Sequence, residues 1–321
     1  MTSAILGTGS ALPEKIVTND DLTEFLDTSD EWISDRTGIR KRHLAVDENT
    51  TTLSIAAANE ALKDANITAE ELDLIIVATL TPHGSMPNTA CKVQAAIGAT
   101  NATCYEINAA CSGFLFGLQT AHAYISCGLI KHALIIGAET LSKIMDWTDR
   151  GTCVLFGDGA GAAILGASEK RIICIESGYD GAGGHVLTCG NAPIVNPYTK
   201  QEAESPYVYM DGQAVFKFAT KKIPDIINKL CEKSNTDKEN IDLFVLHQAN
   251  ARIIQLAAKR LGLPSERFPM NLDRYGNTSA ASVAILLDEV HKNGQLHSGD
   301  LVALAGFGGG LTWGGILMEW K

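Results

Sequence analysis

Short runs of β-branched and apolar residues alternate with helical patterns along the whole 321-residue sequence. This alternation is typical of α/β proteins, in which helical crossovers join parallel strands. Residues 74–78 predict a fully buried strand, and residues 53–65, rich in Ala, Leu, Glu and Lys, predict the crossover helix before it. The chain is longer than one core usually supports, so we expect one very large domain or two closely packed halves.

The second half of the chain repeats the order of the first. Residues 71–77 resemble residues 240–246, and an amphipathic helix with a short acidic loop precedes each segment. The helix and strand that follow Cys111 likewise match a helix and strand near the C-terminus. We therefore expect a duplicated fold, with an N-terminal half of residues 1–168 and a C-terminal half of residues 169–321.

Charge and composition exclude several classes of function. A net charge of −11 argues against any nucleic-acid partner that depends on overall positive potential. The sequence has no run of 18 apolar residues, and its N-terminus lacks the regions of a signal peptide, so we expect a cytosolic protein with no membrane partner. Eight irregularly spaced cysteines without a C-x-x-C pair should be reduced thiols, and no metal or redox cofactor is indicated.

Cys111 lies at a predicted strand-to-helix turn, in the sequence NAACSG at residues 108–113. The start of a helix offers partial positive charge and free N–H groups, which favour a thiolate and lower its pKa. Small neighbouring side chains leave room for a substrate. A free cysteine is more often an inert core residue, but the helix-start position favours a nucleophile here.

His247 and Asn277 are candidate partners of this cysteine. His247 ends the apolar run 242–246, so its ring should emerge at the carboxyl edge of a sheet, where α/β proteins bind ligands. The alternatives are a structural histidine and an asparagine that only caps the helix after it. If the halves are related by pseudo-symmetry, Cys111 and Asn277 occupy equivalent helix entries and all three side chains share one site.

A glycine-rich segment, GFGGG at residues 306–310, follows a predicted buried strand. It does not match a phosphate-binding loop, and the glycines at 7 and 9 do not complete a dinucleotide fingerprint. The segment indicates close backbone approach, with amide N–H groups available for an oxyanion, although a tight turn between strands would have the same composition.

Four motifs stand in the order seen in one family. ACSG at 110–113, HQAN at 247–250, GNTS at 276–279 and GFGGG at 306–310 resemble β-ketoacyl-acyl-carrier-protein synthase III. The resemblance runs from one end of the chain to the other. It implies the thiolase fold, in which two similar α/β halves form a five-layered αβαβα sandwich, usually as a homodimer.

The resemblance also implies a reaction. The enzyme would be an acyltransferase that condenses a short acyl-CoA with malonyl-acyl-carrier protein and so starts type II fatty acid synthesis. Cys111 would carry the acyl group in a ping-pong mechanism, and the N–H groups of Cys111 and Gly309 would form the oxyanion hole. His247 and Asn277 would stabilise the enolate formed when the malonyl group loses carbon dioxide.

Residues that bind CoA follow from the same resemblance. Adenine would lie between Trp32 and Arg150, with Thr28 and Arg36 near the nucleotide end, although Trp32 alone would also suit the packing of a helix onto the core. Met86 stands where the family reaches into the acyl pocket of the partner subunit. Its flexible thioether would admit primers beyond acetyl, so the expected primer is acetyl-CoA or a short straight or branched acyl-CoA.

A carrier protein is acidic, as this chain is, so docking requires a local basic patch. Arg252 and Lys259 are seven residues apart on the predicted helix after His247 and therefore share a face, which Lys217 extends. The alternative for these residues is a solvated helix face.

Two other functions suit the same residues. One is a same-fold acyltransferase of secondary metabolism that uses an acceptor other than carrier protein. The more distant one is a cysteine thioester hydrolase, because Cys, His and Asn also suit hydrolysis. A buried helix entry beside a glycine loop favours exclusion of water over hydrolysis.

Overall fold

The computed structural model describes residues 2–168, 171–190 and 192–321. The strands in these ranges are β1 (Ser3–Ala11), β2 (Ile16–Thr18), β3 (Lys41–His43), β4 (Leu74–Ala78), β5 (Thr103–Ile107), β6 (His132–Glu139), β7 (Gly159–Ala167), β8 (Ile172–Tyr179), β9 (Leu187–Cys189), β10 (Val195–Asn196), β11 (Thr199–Lys200), β12 (Val208–Met210), β13 (Leu243–Leu246), β14 (Leu301–Gly308) and β15 (Thr312–Glu319). The α-helices are α1 (Asn19–Leu22), α2 (Asp30–Thr37), α3 (Thr50–Ala65), α4 (Thr89–Ile97), α5 (Gly113–Ser126), α6 (Gly212–Ser234), α7 (Ala251–Leu261), α8 (Leu272–Tyr275) and α9 (Ser282–Lys292).

Two mixed sheets form the framework, and the four strands of the second match the first four strands of the first in order and direction. The first has the order β1-β7-β6-β4-β5, and the second has the order β8-β15-β14-β13. In each sheet the first three strands are antiparallel neighbours and the remaining strands are parallel. The matching order confirms the expected duplication. The antiparallel strands were not predicted, and the second sheet requires them because the short turn at residues 309–311 can join only antiparallel strands.

Helices and sheets alternate in five layers. Helices α5 and α9 pack between the two sheets, where Phe114, Leu118 and Leu287 share one core with residues of both sheets. Helices α3 and α4 cover the outer face of the first sheet, and α6 and α7 cover the outer face of the second. This arrangement confirms the αβαβα sandwich expected from the resemblance.

Helix α5 is apolar on nearly every side because it lies between two sheets. Gly117 lets it approach the first sheet closely, since a Cβ atom at this position would lie 2.7 Å from Ile135 Cγ2. The helix has 14 residues. No helix in the described ranges is long and apolar enough to cross a membrane.

A small unit near the N-terminus extends over the second half. Strands β2 and β3 pair with each other, and helices α2 and α8 bring this unit against α7. The buried Arg42 holds it in place by donating to the carbonyl oxygens of Val17 at 3.3 Å and Val154. Burial lowers the pKa of Arg42 to about 10, so its guanidinium stays charged at neutral pH.

The expected boundary between the halves falls between residues 168 and 169, and residues 169–170 lie outside the described residues. The division into residues 1–168 and 169–321 therefore stays a prediction.

The central layer predicts a clear stability difference between two leucines. Leu118 is fully buried in α5, whereas Leu129 is 71% exposed after the same helix. Leu118→Ala should lower the free energy of unfolding by about 3 kcal/mol, because it leaves a cavity between the sheets. Leu129→Ala should change it by less than about 0.5 kcal/mol. Urea denaturation of both variants measures this, and equal losses would show that α5 is not the centre of the core.

Candidate active site

Cys111 lies in a short 3₁₀ turn, Ala110–Ser112, that leads directly into α5. Ala110 has a φ angle of 47°, a left-handed conformation that a residue with a Cβ atom rarely adopts. The Oδ1 atom of Asn108 accepts a hydrogen bond of 3.2 Å from the Ala110 N–H and supports this turn. The N–H groups of Ser112 and Gly113 bond within the turn, so the Cys111 N–H, one residue earlier, is left without an acceptor there.

The glycine-rich segment packs directly against Cys111. A Cβ atom at Gly308 would lie 2.7 Å from the backbone nitrogen of Cys111, so only glycine fits at this contact. The hydroxyl of Thr312 lies 3.1 Å from the carbonyl oxygens of both Ala109 and Gly309, which ties the glycine segment to the cysteine turn. Gly309 lines the same cavity as Cys111. The expected close approach is therefore confirmed.

The protonation state of Cys111 differs from the sequence-based expectation. Burial raises the pKa of the Cys111 thiol to about 12, while its hydrogen bond of 3.3 Å to the hydroxyl of Ser279 lowers the pKa by a smaller amount. The negative charge of the nearby Glu139 raises it further. The expectation of a lowered pKa was wrong, because the loss of solvent outweighs the helix-start position.

His247 directly follows β13, and its backbone N–H donates to Ala305 at 2.9 Å. Its ring is buried, with Nδ1 at 2.6 Å from the hydroxyl oxygen of Ser282 at the start of α9. Burial lowers the pKa of His247 to about 3, so the imidazole is neutral at physiological pH. The ring meets Phe307 edge to face, with 5.3 Å between centroids.

Asn277 is fixed by backbone bonds to the loop before β7. Its N–H donates to Leu155 at 2.8 Å, and its carbonyl accepts from Gly157 at 3.1 Å. The side-chain oxygen accepts from the Ser279 N–H at 2.9 Å, so Asn277 does stabilise the turn before α9, as the capping alternative proposed. Within the described residues its amide nitrogen has no hydrogen-bond partner, which leaves that group free to donate to a bound molecule.

Two cavities meet at Cys111. The larger one, of about 390 Å³, is mainly apolar and is lined by Leu80, Leu141 and Leu187 together with Ser279 and Gly309. The smaller one, of about 90 Å³, places Cys111 together with His247, Asn277 and Asn250. The structure therefore brings Cys111, His247 and Asn277 into one site, as the sequence predicted.

The pseudo-symmetry of the site differs from expectation by three residues. Asn277 accepts from the N–H of Ser279 as Asn108 accepts from that of Ala110, and Ser279 has a φ angle of 49° close to the 47° of Ala110. Asn277 is therefore equivalent to Asn108, and Ala280 is equivalent to Cys111. Convergence of the two turns was predicted correctly, but the pairing of Cys111 with Asn277 was wrong.

Three polar residues of the site were missed by sequence reasoning. Ser279 contacts the thiol, Ser282 contacts the imidazole, and Glu139 is fully buried behind Ser279, with its carboxylate 3.3 Å from the Ser279 hydroxyl. Ser279 lies in the GNTS motif and Ser282 lies three residues after it, but sequence reasoning assigned a function only to Asn277 of that motif. For Glu139, the available signal was an acidic residue at the end of an apolar strand.

The four residues expected to bind CoA also lie together. Arg36 lies 4.5 Å and Arg150 lies 5.1 Å from the centre of the Trp32 ring, so both guanidinium groups contact the indole. Arg150 also donates to the backbone carbonyl of Asp27. The hydroxyl oxygen of Thr28, next in sequence, is buried without a hydrogen-bond partner in the described part of the chain.

The expected docking residues are on the surface. Arg252 and Lys259 are exposed on α7, and Lys217 is exposed on α6. Arg252 donates to the carbonyl of Asp35, so the basic patch adjoins the helix that carries Arg36.

Met86 is 89% exposed between β4 and α4 and lines neither cavity of its own chain. Its role in the pocket of a partner subunit therefore stays a prediction.

Comparisons with known proteins agree with the geometry. A model described as 3-oxoacyl-[acyl-carrier-protein (ACP)] synthase III matches residues 105–181, and the model of its C-terminal part matches residues 231–320. The beta-ketoacyl-[acyl-carrier-protein] synthase III of Clostridium acetobutylicum is 51% identical over 318 residues, which are 98% of this chain and 98% of that protein.

Solved structures are similar along their whole length. The 3-oxoacyl-[acyl-carrier-protein] synthase III from Aquifex aeolicus VF5 has a TM-score of 0.94 and 43% identity, covering 99% of this chain and 100% of that one. A priming beta-ketosynthase from a polyketide biosynthetic pathway has a TM-score of 0.93 and 33% identity, covering 100% and 97%. Because family models match more than half of its residues and a full-length relative is 51% identical, the chain belongs to the 3-oxoacyl-[acyl-carrier-protein] synthase III family.

Proposed function

We propose that this chain catalyses the decarboxylating condensation of a short acyl-CoA with malonyl-acyl-carrier protein, the first condensation of type II fatty acid synthesis. The observation that carries the proposal is the position of Cys111 where two cavities meet, with His247 and Asn277 in the smaller one. Membership of the synthase III family supports the same reaction. Thiol, imidazole and amide suffice for the chemistry, so the mechanism includes no cofactor.

In the first half-reaction, Cys111 attacks the thioester carbonyl of acyl-CoA. The Cys111 thiol gives up its proton as the sulfur–carbon bond forms, the bond to CoA breaks, and CoA leaves as a thiolate that is protonated in solvent. Charge develops on the carbonyl oxygen at this stage. The N–H groups of Cys111 and Gly309 act as the oxyanion hole. Two observations support this role: the Cys111 N–H has no acceptor within its turn, and Thr312 holds the glycine-rich segment beside that turn.

In the second half-reaction, malonyl-carrier protein loses carbon dioxide and its enolate carbon attacks the acyl group on Cys111. Neutral His247 and the Asn277 amide donate hydrogen bonds to the enolate oxygen. This requires the proton of His247 on Nε2. Ser282 supports that tautomer, because its oxygen lies 3.4 Å from the Gln248 N–H as an acceptor while its own hydroxyl can donate to Nδ1.

Four residues contact the nucleotide end of CoA in this proposal. Adenine enters between Trp32 and Arg150, displacing the contact that these side chains make with each other. Arg36 is then close to phosphate, and the unpartnered hydroxyl of Thr28 offers a hydrogen bond. Carrier protein docks on the adjoining patch of Arg252, Lys259 and Lys217.

We also propose that the active form is a cytosolic homodimer. Met86, between β4 and α4, leaves a large apolar side chain in solvent that a partner subunit would bury. Exposed apolar side chains also cluster within residues 194–207, where Ile194, Val195, Tyr198 and Tyr207 are among them. All eight cysteines are free thiols, which supports a reducing compartment.

Mass spectrometry of the intact protein tests the proposed reaction. After mixing with acetyl-, isobutyryl- or isovaleryl-CoA, the protein should gain the mass of one acyl group on Cys111. Adding malonyl-carrier protein should remove that group and yield β-ketoacyl-carrier protein. The 390 Å³ cavity predicts loading by the branched primers as well as by acetyl-CoA.

The Cys111→Ala variant is the control for this experiment. It should take up no acyl group, yet it should still decarboxylate malonyl-carrier protein slowly, because His247 and Asn277 remain in place. Transfer of the acyl group only to water, or to an acceptor other than carrier protein, would contradict the proposed function.

Ser282→Ala should affect condensation selectively. The variant loses the hydrogen bond that orients the imidazole, about 1–2 kcal/mol of stabilisation, so condensation by preloaded enzyme should slow on the order of tenfold. Acyl loading should be unchanged.

Because the pKa of His247 is about 3, its protonation should not reduce condensation between pH 5 and pH 8.

The matched control is Ser54→Ala, measured by the same single-turnover kinetics, since Ser54 is a buried helical serine whose hydroxyl donates to the Thr50 carbonyl. Equal slowing of both half-reactions by Ser282→Ala would argue against a role in the tautomer of His247.

Trp32→Ala and Arg252→Glu should each raise the KM for a different substrate. Loss of the indole removes the stacking surface for adenine and should raise the KM for acyl-CoA about tenfold, leaving that for malonyl-carrier protein unchanged. Reversing the charge at Arg252 should raise the KM for the carrier protein and leave the loading step unchanged. Steady-state kinetics with each substrate varied in turn measure both, and a parallel change in both constants would contradict the assignment.

A further inference from the structure

A buried chain of hydrogen bonds connects the nucleophile to a carboxyl group that the proposed reaction does not use. The Cys111 thiol donates to the Ser279 hydroxyl at 3.3 Å, and that hydroxyl donates to Oε1 of Glu139 at 3.3 Å. Cys111 is 8% exposed, Ser279 is 1% exposed, and Glu139 is fully buried. These hydrogen bonds therefore offer the thiol proton a path that does not pass through bulk solvent.

The structure assigns to Glu139 the role of proton acceptor for Cys111, acting through Ser279, in the acyl-loading step; this inference rests on the proposed function. Glu139 does not touch the substrate, so it is a positioning residue that holds a proton.

The proton balance of both half-reactions fits this role. During loading, the proton of Cys111 moves to Ser279 and the Ser279 proton moves to Glu139, while the sulfur forms its bond to the acyl carbon and CoA leaves as a thiolate. During condensation, the bond between sulfur and acyl carbon breaks and Cys111 is released as a thiolate. Glu139 then returns the proton through Ser279. The one proton consumed overall is the one that CoA takes from solvent.

The two oxygens of Glu139 have different surroundings. Oε2 accepts from the Thr79 hydroxyl at 3.2 Å, from the Thr81 N–H at 3.1 Å and from the Thr81 hydroxyl. The Thr81 hydroxyl accepts from the Thr140 N–H, so its own hydrogen must point at Glu139. Oε1 has fewer donors, with Ser279 and a long contact of 3.3 Å from the Leu80 N–H. A proton is therefore accommodated on the oxygen that faces Ser279.

The histidine of the site is a poor alternative acceptor. Burial lowers the pKa of His247 to about 3, whereas burial raises the pKa of Glu139 to about 7, against the lowering effect of its hydrogen bonds. A carboxyl group with this pKa exchanges protons readily at physiological pH. Other titratable groups near Glu139 are Lys143, whose ammonium bonds to the Thr81 and Pro82 carbonyls, and Asp158 beyond it.

The Glu139→Gln variant distinguishes proton transfer to Glu139 from a purely electrostatic effect of its charge. The glutamine keeps the shape of the side chain but accepts no proton, so acyl loading at pH 8 should slow on the order of 100-fold. A purely electrostatic role predicts the opposite sign, because the negative charge of Glu139 raises the pKa of Cys111 and its removal would ease thiolate formation. Alkylation of Cys111 by iodoacetamide at pH 9, which needs only the thiolate, should be no slower in the variant than in the natural enzyme.

The pH profile of loading provides the second measurement. In the natural enzyme, loading should fall as the pH drops through about 7, where Glu139 becomes protonated and can no longer accept. In the Glu139→Gln variant, loading should show no such fall near pH 7. Ser279→Ala should load as slowly as Glu139→Gln, and Ser279→Gly repeats the test without a Cβ atom at a φ angle of 49°.

Asp158→Asn is the matched control. Asp158 is a fully buried carboxylate whose pKa is also raised by burial, but it bonds to Ala45 and Ser142 rather than to the path from Cys111. In this variant, the rate of acyl loading should still fall as the pH drops through about 7.

The outcomes separate the relay from the reaction itself. If Glu139→Gln loads as fast as the natural enzyme, or loses loading and alkylation equally, the relay is overturned while the reaction stands. If the natural enzyme loads no acyl group from any acyl-CoA, the proposed function and the relay are overturned together.

Discussion

The close contact between Gly308 and Cys111 is the constraint on which the site depends. It joins a strand end of the second half to the helix entry of the first, and a Cβ atom would block it at 2.7 Å. A second contact of this kind lies nearby, since a Cβ atom at Gly137 would lie 2.1 Å from the Ala280 carbonyl oxygen. Small residues therefore let the central turns meet with almost no space between them. The distance between the two halves is fixed at the point where the chemistry takes place.

Such tight packing determines the charge state of the site. With water removed, neutral forms are favoured, so the pKa of the Cys111 thiol rises and that of the His247 imidazole falls. A site of this kind cannot keep a thiolate and an imidazolium as a resting ion pair. Charge on the sulfur and on the reacting carbonyl must instead appear only during the reaction, where fixed donors such as the Asn277 amide stabilise it at no cost in reorganisation. The high pKa of Cys111 is thus compatible with catalysis, provided that a nearby group receives its proton.

Apolar periodicity and short motifs are local properties, and they predicted the alternation of helices and strands, the duplication and the candidate side chains Cys111, His247 and Asn277. The five layers followed from the family resemblance. The sequence did not predict the antiparallel pairs of the sheets, which depend on long-range register. It also did not reveal Glu139, which lies 140 positions from its partner Ser279 and belongs to no motif recognised beforehand. The sign of the pKa shift at Cys111 was missed for a similar reason. A helix start is visible in a sequence, but the depth of burial depends on how two separate halves close over it.

The duplication divides the chemistry between the halves. In the proposed mechanism, the first half contributes the nucleophile Cys111 and the carboxyl group of Glu139, and the second half contributes the donors His247 and Asn277. Ser279 belongs to the second half but bridges the two groups of the first, and it occupies the position that Ala110 holds in the other repeat. The two copies of one turn therefore differ where function requires it. In the first copy, the thiol of Cys111 follows the small residue Ala110. In the second copy, Ser279 stands at the position of Ala110, and its hydroxyl can pass on a proton, which a methyl group could not.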